Sequence, residues 1–286
     1  MKPDEIMGLE ITSIVGCPNR CDYCPQALLL SRYPKGAPRV FTLASFQKCI
    51  EGGQVPISRN LTFMGASEGF LCPDFVPMIL WALGRGHRGS LSTTLRGATH
   101  AGIDALAGQT GLTDTIIHVP DASGQMHLEP TAEWLDLFCH AIAAWRGHRE
   151  FIISCFGLSH PKVLEVWKAS GVPVNNFGLH DRAGLVPWLH HQKRRGPVPL
   201  CGKMFCGHLF PNGDVARCCS DYGLAQVWGN LYRQTYRDIY RGEKFRAYMR
   251  SLADPNSDVP CRYCGDCYHS INPDDRGKTY ESPSPE

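Results

Sequence analysis

Leu9-Glu-Ile-Thr-Ser-Ile-Val-Gly-Cys17-Pro-Asn-Arg-Cys21-Asp-Tyr-Cys24 is the stretch that decides the fold. Leu9–Val15 reads as a β-strand, and three cysteines follow it within eight residues. In parallel α/β barrels the chemistry sits at the C-terminal ends of strands, where this loop lies. Thiolates ligate iron in Fe–S clusters, and three of them on one loop can converge on a [4Fe–4S] cubane. Three ligands for four irons leave one iron open to an outside ligand, much as catalytic zinc sites keep a free position. Structural zinc would call for a second C-x2-C pair roughly 15–20 residues on, and none follows Cys24.

Outward from this loop, short β-rich runs alternate with helical patterns. Strands are expected at Leu9–Val15, Asn60–Phe63, Ser90–Leu95, Asp114–Val119, Phe151–Cys155 and Val174–Phe177. Helices are expected near Leu43–Glu51, Asp74–Leu83, Ile103–Ala107, Thr131–Trp145 and Pro161–Ser170. In the fourth, Trp134, Phe138, Ala141 and Trp145 recur at three- and four-residue steps to make one apolar stripe. Such alternation implies parallel strands joined by right-handed crossovers. Six strands are too few to close an eight-stranded barrel, so the expectation is α/β, a partial (β/α)6 barrel over residues 1–185.

The alternation stops after Arg182. His190-His-Gln-Lys-Arg-Arg-Gly-Pro197 reads as an exposed basic linker, its two histidines solvated rather than ligating. A small Cys-rich domain is expected over 186–276, with a hairpin (Gly207–Phe210 and Asp214–Cys218) and a helix near Tyr236–Leu252. The tail 277–286, rich in Ser, Pro and Glu, is expected to be disordered.

Composition narrows the class. A net charge of +2 argues against a broad grip on nucleic acid or an anionic membrane. There is no apolar run of the ~18 residues a membrane span needs, and MKPDEIMGLE lacks the form of a signal peptide. A cytoplasmic protein is expected. Fourteen cysteines in a reducing compartment point to metal or chemistry rather than disulfides. Ten of them cluster: Cys17, Cys21 and Cys24 at one end, and Cys201, Cys206, Cys218, Cys219, Cys261, Cys264 and Cys267 at the other. Cys49, Cys72, Cys139 and Cys155 sit among apolar neighbours and read as small core residues.

The C-x3-C-x2-C loop after the first strand, with Tyr23 before the third cysteine, resembles the signature of the radical S-adenosylmethionine (radical SAM) superfamily. The resemblance implies that the open iron binds S-adenosyl-L-methionine, and that a 5′-deoxyadenosyl radical then abstracts hydrogen from substrate. It also implies a flavodoxin- or ferredoxin-type electron donor. Gly65 and Glu68, in Leu61-Thr-Phe-Met-Gly65-Ala-Ser-Glu68, stand where that family holds the methionine amino group, although the usual second glycine and proline are missing. Thr93 and Thr94 stand where it contacts the ribose or carboxylate.

The later cysteines fall in an order similar to the SPASM/twitch auxiliary-cluster domain: Cys201, then Gly213-Asp-Val-Ala-Arg-Cys218, then Cys261-Arg-Tyr-Cys264. The implied ligands of a second [4Fe–4S] cluster are Cys201, Cys218, Cys261 and Cys264; Cys206 could replace Cys201, and Cys219 could replace Cys218.

Within that superfamily the chain resembles the short auxiliary-cluster enzymes of aminoglycoside (antibiotic) biosynthesis, the dehydrogenases of 2-deoxy-scyllo-inosamine and the epimerases of neomycin. These take hydrogen from a carbinol carbon of a sugar or aminocyclitol. Arg182 matches an arginine that touches the reacting hydroxyl, and Cys267, an extra cysteine, is a candidate hydrogen donor for epimerisation. Epimerisation is therefore expected slightly ahead of oxidation to a ketone through the second cluster. Modification of a ribosomal peptide is the other class, disfavoured because only 16 residues precede Cys17. His118 and Asp121, after the fourth strand, are weaker substrate-binding candidates.

Overall fold

The structure is a computed structural model and describes residues 8–172, 174–179, 182–186, 188, 206–254 and 256–257. Six parallel strands follow one another in space as they do in sequence: β1 (Gly8–Ile11), β2 (Asn60–Phe63), β3 (Arg88–Thr93), β4 (Leu112–His118), β5 (Glu150–Phe156) and β6 (Val174–Phe177). Between them run α1 (Gln26–Arg32), α2 (Leu43–Gln47, widening into a π turn over Lys48–Gly52), α3 (Phe75–Gly84), α4 (His100–Leu106), α5 (Ala132–Trp145) and α6 (Pro161–Lys168). Leu9, Ile11, Leu61, Phe63, Leu91, Ile117 and Ile153 from the strands pack with Phe46, Ile79, Ile103 and Phe138 from the helices in one core. This is the partial α/β barrel expected, with β2 and β6 at the anticipated residues.

Three differences have physical causes. β1 stops at Ile11 because the chain turns off after it: Thr12 N–H makes the last bond to β7, to Leu209 O, and Ser13 O accepts instead from Phe41 N–H, outside the sheet. The expected helix over Tyr236–Leu252 is two helices, α7 (Tyr236–Arg241) and α8 (Glu243–Ala253), divided at Gly242, whose extended backbone caps one and starts the other. Cys49, Cys72 and Cys155 are buried as expected, but Cys139 is exposed, on the side of α5 away from its stripe of Trp134, Phe138, Ala141, Ile142 and Trp145.

The Cys-rich segment does not stand apart from the barrel. β7 (Cys206–Leu209) pairs in parallel with β1, with Glu10 opposite His208 and Ile11 opposite Leu209. The hairpin then adds β8 (Asp214–Ala216), and β9 (Val227–Asn230) follows antiparallel. The sheet has nine strands among the described residues, in the order β6-β5-β4-β3-β2-β1-β7-β8-β9. Beneath β9, Trp228 packs edge-on to Phe245 and Tyr240 and near Tyr248, so α7 and α8 seal this end of the core. The linker 190–197, the tail 277–286, and Cys201, Cys261, Cys264 and Cys267 lie outside the described residues. Among the described residues no helix is long and apolar enough to cross a membrane.

Candidate active site

The cysteine loop occupies residues 12–25, between β1 and α1, and three separate parts of the chain hold its cysteine-bearing half. Asp22 N–H donates to Gln125 O at 2.9 Å, and the Cys21 thiol donates to Met126 O at 3.3 Å. Asn19, buried, donates to Thr94 Oγ1 at 3.2 Å and accepts from Arg96 Nη1 at 2.9 Å. The Cys24 thiol donates to Tyr222 Oη at 3.5 Å. Locally, Cys24 N–H donates to Cys21 O, which turns the third cysteine back toward the second.

Cys17, Cys21 and Cys24 are all half-buried. Burial pushes the Cys17 thiol up, with the nearby charges of Glu68 and Cys24 adding to it, while the backbone N–H groups of Asn19 and Glu68 act in the opposite sense. Burial, then repulsion from Cys24 and Cys17, pushes Cys21 up to about 12. Three thiolates gathered here therefore need a cation to offset their charge, and metal ligation both requires the thiolate and supplies that cation. Among the described residues no three such side chains close on a single metal-ion position. A cubane, whose cysteines each hold a different iron, asks for a wider triangle than a single metal ion does.

The Gly65–Glu68 turn meets the end of β3 directly. Glu68 accepts from Thr93 Oγ1 at 2.7 Å and Phe70 N–H at 3.2 Å on one oxygen. Its other oxygen accepts from Thr94 N–H at 2.6 Å and Thr94 Oγ1 at 2.7 Å. Burial pushes the Glu68 carboxyl up and these donors pull against it. Thus Glu68, Thr93 and Thr94 are brought together, but as one interlocked group whose four carboxylate lone-pair directions are already used. Gly65 is required by close approach, because a Cβ would come within 2.5 Å of Thr12 Oγ1. Thr12 in turn accepts from Ala66 N–H at 3.0 Å and bonds the His208 ring of β7.

Across the mouth, His118 bonds Ser154 Oγ through Nδ1 at 2.5 Å and stacks on Phe156, whose other neighbour is Tyr23 at 5.2 Å. Asp121 is buried and engaged by its own loop. Burial would raise its carboxyl, but hydrogen bonds from Ser123 Oγ (2.7 Å), Gln125 N–H (3.0 Å) and Met126 N–H (2.8 Å) outweigh that and hold it below the usual range. It shapes the loop that carries the Met126 carbonyl to Cys21.

Arg182 lies past β6, in a turn where Arg182, Ala183 and Gly184 all have positive φ (48°, 59° and 79°). Two consecutive non-glycine residues in the left-handed region cost roughly 1–2 kcal/mol each, and strain of this kind gathers at functional sites. The guanidinium is close enough to both Tyr23 and Tyr222 for its charge to stabilise their ionised forms, against the dominant effect of burial. It therefore lies near Tyr23 of the cysteine loop.

The SPASM family, described as an iron-sulfur cluster-binding domain, matches residues 201–268. Among solved structures, BtrN in complex with AdoMet and 2-DOIA superposes with a TM-score of 0.62 at 17% identity, covering 91% of this chain and 93% of that chain. Streptococcus suis SuiB bound to precursor peptide SuiA gives 0.62 at 11% identity, covering 86% and 67%. Native anSMEcpe with bound AdoMet and Cp18Cys peptide gives 0.54 at 12%, covering 87% and 83%. This is the radical SAM fold carrying a SPASM segment. In sequence, no curated protein matches the chain.

Seen as a radical SAM fold, the described part brings Cys17, Cys21, Cys24, Gly65, Glu68, Thr93, Thr94, His118 and Arg182 to the C-terminal ends of the strands. Asp121 is there as a loop support. Of the SPASM cysteines, Cys206, Cys218 and Cys219 are half-buried on β7 and just after β8. Sequence reading missed Asn19, Met126 and Tyr222. Asn19 carried a faint local signal, lying between two cysteines; the other two partners are 105 and 198 residues from the cysteine they touch.

Proposed function

We propose that this protein is a radical SAM enzyme that removes hydrogen from a carbinol carbon of a sugar or aminocyclitol. The observation that supports this reading best is Arg182, held by a strained turn near Tyr23 in the loop of three cysteines. When bound, the cluster and S-adenosylmethionine supply a hydrogen-abstracting 5′-deoxyadenosyl radical, and an auxiliary [4Fe–4S] cluster offers a place for the second electron.

Cys17, Cys21 and Cys24 would hold the first cluster; Cys201, Cys218, Cys261 and Cys264 would hold the second. The planar guanidinium of Arg182 presents a fork of N–H donors that suits vicinal hydroxyls, and its positive charge lowers the proton affinity of a hydroxyl it binds. Tyr23, Phe156 and the His118 ring form an aromatic row that would help keep water from the reacting carbon. With all four lone-pair directions used, Glu68 acts through Thr93 and Thr94, fixing the rim against which the methionine end would rest.

Oxidation to a ketone is the favoured outcome. The SPASM match, residues 201–268, takes in Cys267 with Cys261 and Cys264, and the auxiliary cluster that this segment would hold gives the second electron of an oxidation a destination. Epimerisation through Cys267 is the second reading, motivated by the extra thiol itself. In deuterated water, oxidation gives a new carbonyl with no deuterium on carbon. Deuterium on the carbinol carbon, abolished by Cys267→Ala, would establish epimerisation instead. SuiB and anSMEcpe were solved with peptides, so the same assay with peptides in place of aminocyclitols tests the competing substrate class. No 5′-deoxyadenosine from reduced, cluster-loaded protein would sink the radical reading altogether.

A further inference from the structure

Tyr222 belongs to the SPASM segment, yet its hydroxyl reaches the N-terminal cysteine loop. It lies four residues after Cys218, in the turn that leads from β8 to β9. That turn is built to hold it. Asp221 N–H donates to Cys218 O at 3.1 Å, and the Asp221 carboxylate accepts from Ala225 N–H at 3.0 Å and Gln226 N–H at 2.9 Å. Leu224 adopts a left-handed conformation (φ 49°) to close the turn, with its N–H donating to Asp221 O at 3.0 Å. The Tyr222 ring is buried in a second, smaller apolar cluster with Val15, Leu29 and Tyr33 from the cysteine-loop region and Phe210 and Ala216 from the hairpin. Leu28 and Cys24 pack against this cluster.

The phenol thus has a fixed position, and its hydroxyl sits 3.5 Å from Cys24 Sγ. With Cys24 as a thiol, the sulfur donates to the phenol oxygen. With Cys24 as an iron ligand, the sulfur is a thiolate with no proton to give, so the phenol becomes the donor. Hydrogen bonds to cluster sulfurs are one of the factors that set an Fe–S reduction potential, because they stabilise the extra negative charge of the reduced state. A donor carried by the auxiliary segment ties the two cysteine sets physically: the turn that begins at Cys218 ends on Cys24.

We propose that Tyr222 is a positioning residue for the N-terminal cluster, its hydroxyl donating a hydrogen bond from the SPASM segment to the Cys24 sulfur and easing that cluster's reduction. This rests on the functional reading above, in that Cys24 must be a cluster ligand. Removing the hydroxyl while keeping the ring, in Tyr222→Phe, leaves the apolar cluster intact and takes away only the donor.

The experiment is an EPR-monitored redox titration of anaerobically reconstituted, full-length protein. The N-terminal signal is identified as the one missing from a Cys17→Ala/Cys21→Ala/Cys24→Ala variant. At the wild-type midpoint, Tyr222→Phe is expected to lower the reduced-to-oxidised ratio of that cluster about two- to ten-fold, the weight of one net hydrogen bond. Iron content and the auxiliary signal should stay unchanged. An unchanged ratio with full iron content overturns the proposal. Should Tyr222→Phe shed the cluster, 3-fluorotyrosine at position 222 decides: with the same shape and a stronger donor it should raise the ratio, and no rise overturns the proposal. Wild-type protein that forms no cluster on Cys17, Cys21 and Cys24 would fail the functional reading first, a result distinct from any outcome with the Tyr222 variants.

Discussion

Glu68 and Asp121 are both buried carboxylates at the mouth of the barrel, and each is occupied by donors from its own surroundings. For Glu68 the donors are two hydroxyls and two backbone N–H groups. In Glu68→Gln an amide NH2 must face one of them, and the backbone N–H of Thr94 or Phe70 cannot rotate away. Leaving such a buried group unsatisfied costs roughly 1–3 kcal/mol, so urea unfolding should show a loss of about 2 kcal/mol, with Glu68→Asp also destabilised because it reaches fewer donors. Asp121 sets an acid limit. Its pKa in the folded protein lies below the ordinary 3.8, so its contribution to stability is complete above that value and is lost as pH falls through the folded pKa. Urea midpoints should therefore fall on acidification below about pH 4 more steeply for the wild type than for Asp121→Asn, which is weaker at neutral pH. Equal acid slopes would count against this. At this scale the cysteine loop was legible because its ligand spacing is local. Tyr222, Met126 and the donors to Glu68 were not, since they are partners only once distant strands are side by side.

Elements were legible where their period was strong. α5 begins at Ala132, one residue after its expected start, with Thr131 as cap accepting from Trp134 N–H, and it buries the predicted stripe. α1 was missed because seven residues after a proline are too few to show a period. β9 was missed because Val227–Asn230 becomes a strand only by pairing with β8. The β7–β8 hairpin was foreseen, and Gly213, in the Pro211-Asn212-Gly213 turn between its strands, is the residue on which it depends: φ is +84°, and a Cβ would lie 2.4 Å from the Tyr232 ring. Gly213→Ala should cost roughly 1–2 kcal/mol from backbone alone, and more from displacing Tyr232, read as a lowered thermal midpoint. The thiols give a second check on the elements. In folded protein stripped of clusters, a thiol reagent should label Cys139 on the exposed side of α5 while sparing Cys49, Cys72 and Cys155, whose burial pushes them up to about 12, 11 and 11 respectively. Labelling of Cys155 as fast as Cys139 would mean that β5 is not packed as described.

For the whole molecule, the sequence suggested a barrel followed by a separate cysteine-rich unit, and the hairpin's docking site could not be read because nothing local marks the free edge of β1. Yet that edge is where β7 attaches, and the consequences reach the site. Without β7, Glu10 and Thr12 lose His208, the ring that bonds the hydroxyl on which Gly65 and Ala66 rest. Without β8, β9 and the two last helices, Ile50 and Val55 lose their place in a core shared with Leu231, Tyr236 and Ile239, where Gly53 O accepts from Tyr236 N–H. A chain ending at residue 200 would present an unpaired strand edge beside newly exposed apolar surface, the combination that drives edge-to-edge aggregation. It should accumulate as insoluble protein or unfold without a cooperative transition. The full chain should instead unfold in one step, with tryptophan fluorescence, which draws on Trp228 on one side and on Trp81, Trp134, Trp145 and Trp167 on the other, coinciding with far-UV circular dichroism. Two separated transitions, or a soluble and cooperative fragment, would show that the two parts fold independently and that the shared sheet is not what positions the cysteine loop.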